Sequence, residues 1–344
     1  MVTTVRPETE IDSKRYLGYR NHFANAIAIS SILIGYCGGI TFLFSDNYLL
    51  NALGVIWLSH SLINSAIMTH EFMHDTIFYS RRWNTYGGNL MIWLNGGCYA
   101  PFRDLARVHL GHHIDCVDLG PFDLPSMMGR LPSPVRNAIL TLEWLYFPCL
   151  NFMAQWRSIT VPFWHPDRKH LRLRVATLLV IRGALFTVMG TISLKALVLY
   201  FIAYTGMVTV IRWIDAFQHT FDVYPIGSEL PNHSRAYETL HTFSTPLFSF
   251  RYRWVNLLLL NFGYHNVHHD VMRCPWHSLP DLDRELYRGN EVQYIDVKHL
   301  LQNYHRFRIS RIFLGQGQAL NRPEDLDLEK FYGATAVSLL FMPY

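Results

Sequence analysis

The sequence predicts an all-α integral membrane protein: four transmembrane helices in two hairpins, with a cytoplasmic helical cap that carries three histidine clusters. Three observations predict it. Charged residues make up only 16% of the 344-residue chain, and hydrophobic ones make up 50%, whereas soluble domains are about 25% charged. Four apolar stretches approach the roughly 20 residues that a bilayer core demands. Histidine is concentrated in His70-Glu-Phe-Met-His74, His109-Leu-Gly-His112-His113 and His265-Asn-Val-His268-His269, which hold eight of the 18 histidines.

The first 22 residues are polar and charged, so no cleavable leader is expected. The first span covers about residues 24–44 and ends at the turn Ser45-Asp46-Asn47. The second, 48–69, runs straight into the first cluster. A long segment, 71–174, holds the first two clusters and only short apolar runs; 88–100 and 139–152 read as amphipathic or interfacial helices. The third and fourth spans cover 175–193 and 194–213, and the polar remainder, 215–344, holds the third cluster. The whole chain, 1–344, reads as a single membrane domain. Arg182 lies about five residues inside the third span, where a long side chain is expected to snorkel to the near surface.

Basic residues orient the spans. Arg6, Lys14, Arg15 and Arg20 precede the first. Arg81, Arg82, Arg103, Arg107, Arg157, Arg168, Lys169, Arg172 and Arg174 lie between the second and third, and only Lys195 falls in the two opposite turns. The positive-inside rule then puts both termini, the long middle segment and all three clusters on the cytoplasmic side. A net charge of +4 is too mild to suggest a nucleic-acid partner. The five cysteines form no CxxC pair, and Cys116, beside the second cluster, reads as a small buried hydrophobe.

The clusters differ in weight. One HxxxH is expected by chance in a chain with this much histidine, but HxxHH is expected roughly 0.05 times, so two copies are an event on the order of one in a thousand. On a helix, positions three and four apart share a face, so each cluster offers convergent imidazoles. Eight imidazoles exceed the three or four protein ligands of one zinc, and two metals fit better. Softness does not choose the metal, because imidazole suits zinc, copper, iron and nickel. Bridging carboxylates, usual in hydrolytic dizinc or dimanganese sites, are missing from these nearly pure histidine motifs. A redox pair of irons that activates dioxygen is the natural reading. Glu71, Asp75, Asp115, Asp118 and Asp270 stand beside the clusters and suit the orienting of imidazoles through their other ring N–H. Asp215-Ala-Phe-Gln-His219 follows the fourth span. Four residues apart on a helix, Asp215 and His219 share a face, so His219 is a candidate ninth ligand and Asp215 a candidate holder of a metal-bound water. His241 and His277 are candidate orienting groups. His60, ten residues before His70, is turned off its face and not expected to bind metal.

The three clusters, their order and the four-span layout resemble the membrane fatty acid desaturase family, over roughly residues 59–287. The stretch from His70 to Phe78, followed by Arg81-Arg82-Trp83-Asn84, is similar to the family's first motif and its flank. Asn261-Phe-Gly-Tyr-His265-Asn-Val-His268-His269 is similar to its last, followed by Pro275-Trp276, Leu279-Pro280 and Leu286-Tyr287. The resemblance implies a non-haem di-iron centre that uses dioxygen and two electrons to make a double bond in an acyl chain. It implies His70, His74, His109, His112, His113, His265, His268 and His269 as iron ligands, with His219 in the position of the family's further ligand. There the family places an asparagine four residues earlier that acts through water; here that residue is Asp215. The start of the last motif on His265, not glutamine, argues against the front-end desaturases. No fused haem domain is evident, so electrons are expected from a separate donor, a ferredoxin or a b-type cytochrome with its reductase, docking on a face that includes Arg103, Arg107 and Arg168. The acyl or membrane-lipid substrate is expected to enter from the bilayer, with Trp57, Trp93, Trp144 and Trp213 as candidate lining residues.

Two rival readings stand beside this one. A carotenoid ketolase or hydroxylase, or an alkane or lipid hydroxylase, uses the same scaffold and motifs. A membrane metal transporter would need polar residues deep inside several spans, and only His60 and Arg182 are so placed.

Overall fold

Side-chain caps define where the long helices begin. Asn21 accepts the Ala24 N–H at 3.0 Å and starts α1 (His22–Leu43). Asn47 accepts from Leu49 and Leu50 at 2.8 and 3.3 Å and starts α2 (Tyr48–Met73). Each cap satisfies amide donors that have no partner within the helix. The two helices approach closely at glycines: a Cβ on Gly38 would lie 2.7 Å from the Trp57 ring, and one on Gly39 would lie 2.9 Å from the Leu58 backbone nitrogen. Small residues serve this seam because lipid supplies no hydrophobic drive for helices to associate, and close packing must. The computed structural model describes residues 14–17, 20–120, 123–225, 228–247, 252–289, 291–320 and 326–335; Arg6 lies outside them.

After α2 the chain turns back. α3 (Arg81–Asn95) runs along α2, where Asn95 donates to the Thr69 hydroxyl at 3.2 Å. A short 3-10 turn, Gly97–Tyr99, leads into α4 (Phe102–Asp115). The 139–152 stretch does not form one helix. α5 (Ser133–Trp144) stops, Tyr146 adopts φ 64°, and α6 (Cys149–Trp164) begins after Pro148, whose missing N–H and fixed φ suit a helix start better than its interior. α7 (Arg172–Ile192) and α8 (Leu194–Asp215) form the second hairpin, with the Ser193 hydroxyl accepting the Ala196 N–H at 3.1 Å.

Four segments are long and apolar enough to cross a membrane: His22–Leu43, Tyr48–Met73, Pro166–Ile192 and Leu194–Asp215. They divide the work unequally. Every residue of α2 from Ser61 to Met73 is buried, so this helix is the central post. α7 buries only Val175 and Arg182 and leaves Leu173, Val180, Leu185, Val188 and Ile192 exposed, an outer face suited to lipid.

Arg182 does not snorkel. Its side chain points inward, and the residue is only 8% exposed. Nη1 donates to the Trp93 carbonyl at 2.8 Å, and the group lies over the Trp93 and Phe186 rings at 5.6 and 5.5 Å. Trp93 is in the last turn of α3, where carbonyls lack helical partners and the helix dipole is negative. A cation held there is better placed than one stretched along a lipid-facing helix toward water.

The remaining elements form a layer at the ends of α2 and α8. Two three-residue strands, β1 (Asp118–Gly120) and β2 (Val223–Pro225), pair in parallel within the layer. The short helices α9 (Arg235–His241), α10 (His265–Asp270), α11 (Leu279–Leu286), α12 (Val297–Arg306) and α13 (Arg311–Leu314) follow.

Candidate metal centre

Each histidine cluster is set in place by a different local device. His70 closes the last turn of α2 and His74 caps it, with the His74 N–H donating to the His70 carbonyl at 3.2 Å. Asp75 then takes φ 58° and ends the helix. His109, His112 and His113 share one side of α4. The third cluster follows a sharp reversal: Leu260 and Asn261 adopt φ 47° and 57°, and a Cβ on Gly263 would lie 2.2 Å from the Thr245 carbonyl oxygen. Only glycine fits that approach. The chain is thereby turned into α10, and His265, His268 and His269 face inward, all buried.

His219 arrives by another route. α8 ends at Asp215, Ala216–Gln218 form a turn with Ala216 still in the right-handed helical region, and His219 lies beyond that turn, off the helix. Thr220 donates to the His241 carbonyl at 3.0 Å, and Phe243 donates to the Gln218 carbonyl at 2.9 Å, which makes His219 and Thr242 an antiparallel bridge. The shared helical face expected of Asp215 and His219 does not exist.

The nine imidazoles fall into two adjoining sets. His70, His74, His109, His113 and His268 bring one nitrogen each to within 4.8 Å of one another. Within this set His109 Nε2 is 2.8 Å from His74 Nε2 and 3.1 Å from His113 Nε2. His112, His219 and His269 form the second group, with His219 Nε2 3.1 Å from His112 Nε2 and 2.8 Å from His265 Nε2. The sets touch where the His113 and His269 rings lie 4.1 Å apart.

These contacts fit a cation better than a histidine core. Two nitrogens bound to one ion at about 2.1 Å and at right angles are about 3.0 Å apart, which the observed spacings match. Buried nitrogens with no hydrogen-bond partner include His70 Nε2, both nitrogens of His268 and His269 Nε2. Buried polar atoms are rarely left so without reason.

The electrostatics agree. Burial, and then the neighbouring histidines, hold His74, His109, His113, His219, His265 and His269 well below the ordinary imidazole pKa. Burial and His112 bring His268 down to about 3. Neutral imidazole is the form that binds metal. His112 is the exception. Burial opposes its charge, but the Asp118 carboxylate and the Val117 carbonyl raise its pKa overall.

Hydrogen bonds fix which nitrogen faces the cluster. His112 Nδ1 donates to the Val117 carbonyl at 2.8 Å and lies 3.3 Å from Asp118. His70 Nδ1 lies 3.4 Å from Glu71, whose other oxygen accepts from Thr76 at 2.7 Å and from the Trp276 amide at 3.1 Å. His269 Nδ1 donates to Glu238 at 2.9 Å. In each pair Nε2 is left as the free donor atom, the arrangement that orients metal-bound histidines.

Other expected orienting groups lie elsewhere. Asp75 is 4.0 Å from Arg81, and Asp115 is half-exposed at the end of α4; no hydrogen bond joins either to the nine histidines among the described residues. The His241 ring bonds Thr220 at 2.8 Å, the Asp270 carboxylate bonds Tyr287 and Arg235, and His277 Nε2 accepts the Asn21 amide at 3.2 Å. His60 Nε2 bonds the Leu258 carbonyl at 2.8 Å, away from both sets. Cys116 caps α4 in the left-handed region, and burial pushes its thiol up to about 11. Glu238 was not foreseen: it stands in no motif, and its one local signal is a place on the short α9 after the Ser234 cap.

The expected lining and docking residues divide likewise. Trp213 borders a cavity of about 30 Å³ with Ile214, Gln218, Phe243, Gly263 and His265, against the second set. Trp57 packs on Gly38, Trp93 meets Arg182, and Trp144 stacks under Arg308. Arg168 is largely buried 3.5 Å from Asp104 and so is no part of an exposed cationic face. Arg107 remains 80% exposed.

A model of the fatty acid desaturase family matches residues 47–298 of the 344-residue chain, a stretch that holds all three clusters and all nine histidines. No curated protein matches the chain significantly.

Proposed function

This chain belongs to the fatty acid desaturase family, and from that premise we propose that it is a membrane-bound acyl-chain desaturase. The observation that carries the proposal is the convergence of nine imidazoles, from four separate segments, into two adjoining nitrogen sets. Family membership implies an oxidoreductase acting on lipid with an electron donor, which sets the transporter reading aside. The finer assignment is ours. His70, His74, His109, His113 and His268 hold one iron, and His112, His219, His265 and His269 hold the other.

Bound there, a pair of irons supplies the redox chemistry that activates dioxygen toward an unactivated C–H bond. In balance, –CH₂–CH₂– with one O₂, two electrons and two protons gives –CH=CH– and two waters. The chain's own part is to position and to insulate. Glu71, Asp118 and Glu238 orient His70, His112 and His269. The buried stretch Ser61–Met73 of α2 and the core residues Phe72, Phe217 and Phe221 keep bulk water from the centre, which protects reactive species from side reactions. Asp215, half-buried at the end of α8, stands four residues before His219 and remains the candidate for the water-mediated role.

The basic residues Arg81, Arg82, Arg103, Arg107 and Arg157 belong to the segment that carries the first two clusters. By the positive-inside rule this side is cytoplasmic, with both termini, and there a ferredoxin or b-type cytochrome would deliver electrons. The acyl chain enters from the bilayer.

Expression in a host that makes suitable lipids, followed by mass spectrometry of fatty acids and carotenoids, tests the function. A product short of two hydrogens supports desaturation. A product with an added oxygen reassigns the chain to the hydroxylases or ketolases of the same scaffold. The purified protein is expected to hold two irons, and a variant with His112→Ala to lose iron and product together.

A further inference from the structure

Away from the histidines, the layer buries a second group of charges. Glu143 on α5, Arg212 on α8 and Arg311 on α13 are 2%, 4% and 1% exposed. Glu143 is ion-paired to Arg212 at 2.6 Å, and its other oxygen accepts the Leu150 amide at 2.8 Å. Arg311 lies over the Tyr304 ring at 3.9 Å. Two permanent cations thus face one carboxylate, and among the described residues no second carboxylate is ion-paired to either arginine. Arginine cannot shed its charge to escape burial. The strain is visible: burial, and then the charge of Arg212, bring Arg311 down to about 10.

The donors tell the same story. Arg212 Nε and Nη2 and Arg311 Nε and Nη1 are buried and without a hydrogen-bond partner. Four buried guanidinium nitrogens left so, beside an excess positive charge, are donors that an oxyanion would satisfy. Guanidinium forks match the oxygens of phosphate and carboxylate in spacing and plane, and a buried charge is tolerated only when paired and hydrogen-bonded. We propose that Arg212 and Arg311 form a binding site for a phosphate-type oxyanion, distinct from the histidine sets. Such an anion would tie α8, seven residues before His219, to α13 and brace the end of the helix that leads to the centre.

The chemistry is shared by inorganic phosphate and by the phosphomonoester of a lipid headgroup. The test is thermal unfolding of the metal-loaded protein in a phosphate-free maltoside detergent, at constant ionic strength. One arm adds inorganic phosphate; the other adds phosphatidic acid. Saturable stabilisation by either is expected for the wild type, and the responding arm identifies the source. Arg311→Met should abolish the response. Glu143→Gln keeps the oxygen that accepts the Leu150 amide but removes the competing charge, so it should lower the half-saturating concentration severalfold. A purely structural charge cluster would make both substitutions destabilising and leave the response unchanged. A wild type indifferent to both additives, or a Glu143→Gln variant that binds no more tightly, overturns the proposal, and the second variant decides it even if Arg311→Met does not fold.

Discussion

Glu238 accepts the Nδ1–H of His269 at 2.9 Å, and the same carboxylate comes within 4.8 Å of a His113 nitrogen. His113 belongs to the five-histidine set and His269 to the other, so one side chain from α9 addresses both. Burial pushes its carboxyl up to about 7, against the charge of Arg235, which favours the carboxylate.

Replacing this group should therefore weaken metal retention before it weakens the fold. Glu238→Gln removes the charge and keeps the shape. Loss of a carboxylate behind a ligating histidine typically costs 10–100-fold in metal affinity or activity, and we expect a loss in that range. Iron remaining after timed exposure to a chelator measures it, with the electronic spectrum of the loaded protein as an independent reading. Retention equal to wild type would remove Glu238 from the centre.

His219→Ala should act on one set only. His219 is the common neighbour of His112 and His265, at 3.1 and 2.8 Å, whereas the five-histidine set does not include it. Metal content is expected to fall by about half, with near-complete loss of product, because the four-histidine set is left one ligand short of the usual protein complement. Loss of both metals would mean that the sets load cooperatively; full retention of metal and product would exclude His219 as a ligand.

What the sequence reveals depends on how local the cause is. Span limits are legible because Asn47 and Ser193 cap their helices from within a few residues. The clusters are legible because spacing of three and four is a helix property. Arg182 misleads because its fate rests on α3, a helix about ninety residues earlier that folds back beside it; nothing in its own span records that. Asp215 and His219 mislead in the opposite sense. Their spacing suits a helix, but the helix stops at Asp215 and His219 pairs with Thr242 beyond a turn. Glu238 is invisible for the same reason as Arg182: its partner, His269, is 31 residues away.

Gly263 offers a test of how the third cluster is aimed. Its backbone and that of Thr245 are locked together: the Thr245 amide donates to the Gly263 carbonyl at 2.9 Å, while a Cβ would meet the Thr245 oxygen at 2.2 Å. Gly263→Ala must push these two segments apart. Overpacking of this kind costs about 1–3 kcal/mol, and a lower unfolding temperature is expected. His265 and His269 should be displaced with it, so metal loss from the four-histidine set is expected to exceed that from the five-histidine set. A variant with wild-type melting and metal content would show that the reversal tolerates a side chain.

Metal removal exposes a pH dependence whose sign follows from the histidines. In the unfolded chain imidazoles take up protons as pH falls below about 6.5. In the folded chain His74, His109, His113, His219, His265, His268 and His269 are held below that value, chiefly by burial. The unfolded state then binds more protons, so stability is present above pH 6.5 and is lost as pH falls below it. His112, Glu238, Asp270 and Asp283, all raised, with Glu238 at about 7 and Asp283 at about 6, act the other way, but His241 and His277, also held low by burial, bring the opposing histidines to nine. The chelated protein should therefore lose melting temperature steeply between pH 6.5 and about 5. His268→Gln, which removes one titrating ring, should make that fall shallower. Circular dichroism melts across a pH series measure both. A melting temperature that stays level or rises with acid would contradict a buried, neutral histidine cluster.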